Sequence, residues 1–147
     1  MKKKSIFISD LTHTEQGIMA ATFPLGASCV FSYAKKELGN EFNFRLFKFP
    51  SYLNDALCEE SPAMLCFSNF EWNLELSYKF ASLAKQRDPS VITVLGGPNF
   101  PIDINEKVEF LQKRPAIDFV IELEGELGLV DLVKKLSEYN FNAESLK

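Results

Sequence analysis

The chain is short of histidine, tryptophan and paired cysteine, and each scarcity removes a class of chemistry. Among 147 residues there is one His, His13, and one Trp, Trp72. A lone imidazole with no CxxC pair cannot build a four-ligand zinc site without unusual help from carboxylates. The three cysteines, Cys29, Cys58 and Cys66, are odd in number and none has CxxC spacing, which excludes a zinc knuckle or a dithiol redox motif. Cys29 and Cys66 sit in apolar runs, so core thiols are expected. Neither GxGxxG nor GxxxxGK[ST] occurs, and nucleoside triphosphate hydrolysis is therefore unsupported. There is no basic excess either: a net charge of -4 gives no field for a phosphate backbone, and nucleic acid is not an expected partner. Long apolar runs are missing too. The run at residues 6–8 stops at Asp10, too short for a signal-peptide core or a membrane span, so no membrane partner is expected and a cytoplasmic location is the default.

What is present suits one compact domain without repeats: 46% hydrophobic residues, including 14 Phe, and 24% charged. Short apolar runs rich in Phe, Ile and Val recur at 6–8, 42–49, 63–67, 91–95 and 117–121. Turn residues follow each, and then a helical pattern: 25–38, 52–58, 73–87, 105–113 and 126–136. That alternation predicts an α/β fold with a parallel sheet. In the third helix Leu76, Phe80, Leu83 and Ala84 fall on one face. The run "FNFRLFKF" alternates polar and apolar, "AMLCF" and "VITVL" are nearly all apolar, and "IDFVI" carries Asp118. The second and fifth strands are thus the expected margins of a five-stranded, doubly wound, flavodoxin-like three-layer sheet of order 2-1-3-4-5.

Such a sheet takes ligands at the carboxyl ends of strands one and three, which gathers four loops into one candidate site. They are "SDLTHTEQG" (9–17), "SNFEWN" (68–73), "GGPNFP" (96–101) and "ELEGE" (122–126). Gly96 and Gly97 let the chain turn sharply and let a ligand approach the backbone. Ser68 and Asn69 offer a hydroxyl and an amide, or else cap the next helix. Trp72 offers a ring face, or else covers the sheet edge. Glu122, Glu124 and Glu126 suit a helix start, where carboxylates are favoured.

Taken together, "DLTHT", "FPLG" (23–26), "VLGGPN" and "DFVIELEGELGLVDLVKKL" resemble the amino-terminal cobalamin-binding domain of radical S-adenosylmethionine enzymes, over about residues 4–136. The resemblance implies that cobalamin lies in the switch-point cleft against Asp10, Leu11, Thr12, His13, Thr14, Ser68, Asn69, Phe70, Gly96, Gly97, Pro98, Glu124, Gly125 and Glu126. In the better-known DxHxxG, SxL and GG pattern the histidine ligates cobalt, the serine faces the buried benzimidazole tail and the glycines flank it. Ser68-Asn69-Phe70 is similar to the serine element with Phe for Leu, and Gly96-Gly97 matches the double glycine. The first element departs: two residues separate Asp10 from His13 and three separate His13 from Gly17, which sets His13 out of register as an axial cobalt ligand. The CxxxCxxC that holds an iron-sulfur cluster in the radical enzymes is absent. S-adenosylmethionine and a [4Fe-4S] cluster therefore belong, on this reading, to a catalytic domain in cis or on a partner chain. Residues 1–137 read as the cofactor module and 138–147 as a connector.

Two other functions remain open to the sequence. A flavodoxin-type FMN electron carrier would use Thr12 and Thr14 on a phosphate and Trp72 on the flavin ring, but residues 16–24 separate that loop from the next helix, whose N-terminus should meet the anion. A module that keeps the fold and only contacts a partner is the other, because Phe70 and Trp72 are bulky enough to fill the cleft. A phosphoacceptor receiver is disfavoured, since Ser68 stands where an Asp is needed.

Overall fold

Alternation sorts the strand side chains into two cores. In the computed structural model, which describes residues 3–14 and 22–146, Ile6 and Ile8 of β1 (Lys4–Ser9) enter one buried cluster and Phe7 enters the other, as the two-residue period of a strand requires. β2 (Phe42–Phe47), β3 (Met64–Ser68), β4 (Ile92–Gly96) and β5 (Phe119–Ile121) complete a parallel sheet of order β2-β1-β3-β4-β5. The expected fold class and strand order are those observed. β3 and β4 are buried on both faces while β2 alternates. Asp118, just ahead of β5, owes nothing to solvent: its side chain is 5% exposed, 2.5 Å from Lys85 Nζ, and accepts from the Thr93 backbone N–H at 2.9 Å.

Helices cover both faces. α1 (Leu25–Leu38) and α5 (Gly125–Glu138) pack on the Ile6/Ile8 side; α5 buries Leu129, Val130, Val133 and Leu136, at about 1.5–3 kcal/mol for each large side chain. α2 (Pro50–Glu59), α3 (Leu74–Arg87) and α4 (Ile104–Gln112) cover the Phe7 side. α2 starts earlier than the periodicity suggested because Pro50 occupies its first turn, where a missing N–H costs nothing. α4 starts at a cap: Asp103 accepts from the N–H groups of Asn105 and Glu106.

Two expectations need correcting. The buried face of α3 is Leu74, Ser77, Phe80, Ala81 and Ala84, while Leu83 is 37% exposed; small residues let the helix sit close to the sheet, which turns Leu83 outward. Cys29 and Cys58 are exposed and only Cys66 is buried. The apolar neighbours of Cys29 belong to another stripe of α1, the one carrying Ala27, Ala34 and Leu38, and Cys58 stands off the α2 face that buries Leu53 and Ala56. After α5 the chain folds back: Phe141 packs on Phe42 with ring centroids 5.6 Å apart, and a 3-10 turn (Ala143–Ser145) brings Leu146 against the same core.

Candidate functional site

Strand register brings the site together. Ser9, Phe67 and Leu95 share one row of the sheet, so Asp10, Ser68 and Gly96 follow in the next, where β1 and β3 part toward opposite faces of the fold. Beside them a cavity of about 530 Å³ opens between the sheet edge and the first turns of α1 and α5, within the range of roughly 300–1,000 Å³ usual for small-molecule sites. Its floor is apolar: Ile8, Cys66 and Val94 from the strands, Val30 from α1 and Leu129 from α5. Burial pushes the Cys66 thiol well above its usual pKa, so it stands in the cavity as a neutral wall.

The polar end is a closed network. Ser68 Oγ donates to Asp10 Oδ1 at 2.5 Å. Asn73 is fully buried, and its Nδ2 donates to Asp10 Oδ1 (3.2 Å), Ser68 Oγ (3.2 Å) and the Leu11 carbonyl (3.3 Å). Its Oδ1 accepts from Phe70 N–H at 2.9 Å. One amide therefore ties the ends of β1 and β3 together. Asn69 does the same for β3 and β4, its N–H donating to the Gly96 carbonyl at 2.7 Å and its carbonyl accepting from Asn99 N–H at 3.2 Å. Gly97 permits that closeness: φ is 135° and a Cβ would stand 2.8 Å from the Asn69 carbonyl oxygen. At the rim Phe70 and Trp72 stack face to face, centroids 4.5 Å apart at 6°. They bound the cavity and do not fill it, contrary to what their bulk suggested. Leu123, also on the rim, has φ 65° and is 99% exposed, a left-handed conformation that is costly for a branched side chain.

Of the residues named from sequence, Asp10, Ser68, Phe70, Gly96, Gly97, Pro98, Gly125 and Glu126 line the cavity. Leu11 is buried in the opposite core, Thr12 N–H donates to the Lys48 carbonyl, Asn69 works as a strut, and Glu124 stands at the start of α5; these and Thr14 do not line the cavity among the described residues. His13 Nε2 lies 2.9 Å from the Trp72 carbonyl. That contact makes Nε2 the proton donor and leaves only Nδ1 with a lone pair. Residues 15–17 of "SDLTHTEQG" lie outside the described residues. Glu122 is held by Lys107 at 2.7 Å, outside the cavity.

A further wall comes from α1 and the residue two places before it: Phe23, Leu25, Gly26, Ala27 and Val30 all line the cavity, outside the four loops gathered from the sequence. The available signal was Gly26, a glycine in the first turn of an otherwise sound helix; a Cβ there would meet nothing within 4 Å.

Comparison with known proteins places the chain in a family. Residues 20–133 match the family described as the B12 binding domain, a span that begins after His13. Over 129 residues, 84% of this chain and 18% of the relative, the sequence is 28% identical to a 2-(S-pantetheinyl)-carbapenam-3-carboxylate methyltransferase from Streptantibioticus cattleyicolor. It is 34% identical over 79 residues, 53% of this chain and 11% of the relative, to the cobalamin-dependent radical SAM methyltransferase TokK of Streptomyces tokunonensis. The chain thus spans less than a fifth of the length of these curated relatives. Among solved structures, a BeF3-activated DrrB receiver domain aligns with a TM-score of 0.56 at 14% identity, covering 93% of this chain and 99% of that one. The pilus assembly protein CpaE from Caulobacter crescentus aligns with 0.56 at 15%, covering 90% and 98%. These two share the fold.

Proposed function

Because this chain belongs to the B12 binding domain family, we propose that its cleft holds a cobalamin and presents the corrin to a radical S-adenosylmethionine catalytic domain, in cis or on a partner chain. The observation that carries the reading is the bare wall at Gly26, which borders a large apolar cavity with no atom within 4 Å of where its Cβ would be. Gly26 stands in the first turn of α1 and packs on nothing, so its bare backbone leaves room for a ligand.

The residues fit such a group. Cobalamin combines a flat aromatic base with amide and hydroxyl substituents, and the cleft offers a dry floor of Ile8, Val30, Val94 and Leu129 below a polar end of Asp10 and Ser68. The stacked Phe70 and Trp72 rings give a flat apolar face at the mouth. Bound cobalamin would supply a cobalt centre able to carry an alkyl group. The chain's own work is to bind and orient: Asn73 and Asn69 fix the three loops, the apolar floor excludes water, and Trp72 and Leu123 edge the opening. His13, with Nε2 spent on the Trp72 carbonyl, is not needed for that work. Methyl transfer is what both relatives' names state of those proteins, and it is the reaction class we propose the assembled enzyme serves.

The test is retention of corrin. After incubation with hydroxocobalamin and gel filtration, a visible corrin spectrum should travel with the protein at one equivalent; its absence at micromolar protein overturns the reading. Gly26→Leu should fold, gain helix propensity and lose the corrin, because the new side chain enters the cavity. A Gly26→Leu protein that retains corrin like the parent places the cofactor elsewhere.

A further inference from the structure

The proton of Ser68 is already committed. Its Oγ lies 2.5 Å from Asp10 Oδ1, a contact that needs the hydroxyl hydrogen, and the same Oγ accepts from Asn73 Nδ2. Asp10 Oδ1 takes a second donor from Asn73, while Oδ2 has no hydrogen-bond partner among the described residues. Both Asp10 and Ser68 line the cavity. What this end of the cleft shows a ligand is therefore acceptors: one carboxylate oxygen and one remaining hydroxyl lone pair. Asn73 is fully buried and spends its amide within the network, so it neither turns outward nor releases the serine.

We propose that Asp10 is a specificity-determining residue, a fixed anionic acceptor that selects a neutral N–H or O–H donor on the bound molecule and rejects a carboxylate in the same place. The inference rests on the cobalamin reading above. Ser68 holds the Asp10 carboxylate in position. On a cobalamin the selected donor is either a side-chain amide N–H or the ribose O–H. Hydrogen bonds to charged acceptors are strong enough for a substitution here to change affinity about tenfold or more.

Equilibrium titrations with the whole chain test this. The ligands are cobalamin, its monoacids (in each of which one propionamide is a propionate), cobinamide, which lacks ribose and base, and cobalamin acylated on the ribose hydroxyl. If an amide is selected, one monoacid binds the parent chain about tenfold or more weakly, and Asp10→Asn restores it, because the new amide can donate to the propionate. If the ribose is selected, the acylated cobalamin binds weakly, and Asp10→Asn weakens cobalamin while leaving cobinamide unchanged. The proposal is overturned if the parent chain binds cobalamin, every monoacid and the acylated form within twofold of one another. That comparison needs no variant to fold. It is equally overturned if Asp10→Asn retains the parent's order and strength of binding. If cobalamin itself fails to bind the parent chain, the cofactor reading falls and this one with it. Ser68→Ala, which keeps the carboxylate, should preserve the discrimination while loosening every ligand together.

Discussion

Leu123 and Cys66 show how single residues carry opposite costs. Leu123 holds φ 65° with its side chain 99% exposed, so it gives up roughly 1–2 kcal/mol of backbone energy for no burial. Leu123→Asn keeps the loop geometry and relieves that cost, since Asn tolerates the left-handed region. Urea unfolding should report a gain of about 1 kcal/mol, while corrin affinity falls because an apolar contact leaves the rim. Cys66 makes stability depend on pH through the unfolded state. Its thiol pKa is raised in the folded chain by burial, so below about pH 8.5 both states are protonated and it contributes no slope. As pH rises past that point the unfolded chain ionises first and stability is lost, by up to about 1.4 kcal/mol per pH unit. Comparing unfolding free energies at pH 7.5 and pH 9.5 should show a steeper loss for the parent than for Cys66→Ala.

At the scale of elements, α4 is the outlier. None of its residues is buried, and it depends on the Asp103 cap more than on packing. Asp103→Ala should cost about 1 kcal/mol, confined to this helix. In hydrogen exchange, the amides of Ile104–Gln112 should lose about fivefold in protection while those of β3 and β4 stay unchanged. The other elements were legible in the sequence because packing and local preference agree: alternating Phe in β2 and nearly all-apolar runs in β3 and β4. The α3 face was misread because Ser77 and Ala81 are buried where Leu83 is not; pattern ranks residues by hydrophobicity, whereas close helix-to-sheet approach ranks them by size. The site divided the same way. Residues at strand ends, Asp10, Ser68, Gly96 and Gly97, follow from topology alone. Leu25, Gly26 and Val30 did not, because a helical stripe that lines a cavity has the same periodicity as one that lines a core. Asn73 was read as a helix start and proved to be the tie between two loops.

For the whole molecule the two ends of the sheet do different work. The amino end is sealed, with Phe141 against Phe42 and Lys4 Nζ 5.2 Å above the Phe141 ring. The carboxyl end is open and edged by aromatic and aliphatic side chains, Phe23, Leu25 and Trp72 among them. The chain's one tryptophan stands at that opening, 61% exposed and stacked on Phe70. Ultraviolet emission excited in the indole therefore comes from the mouth of the cleft and from nowhere else in the protein. A corrin absorbs where indole emits, so its arrival should quench that light, and the titration yields a dissociation constant without any label. Gly26→Leu should keep the emission and abolish the quenching; Trp72→Phe should leave the chain dark to this measurement while it still turns red with cofactor.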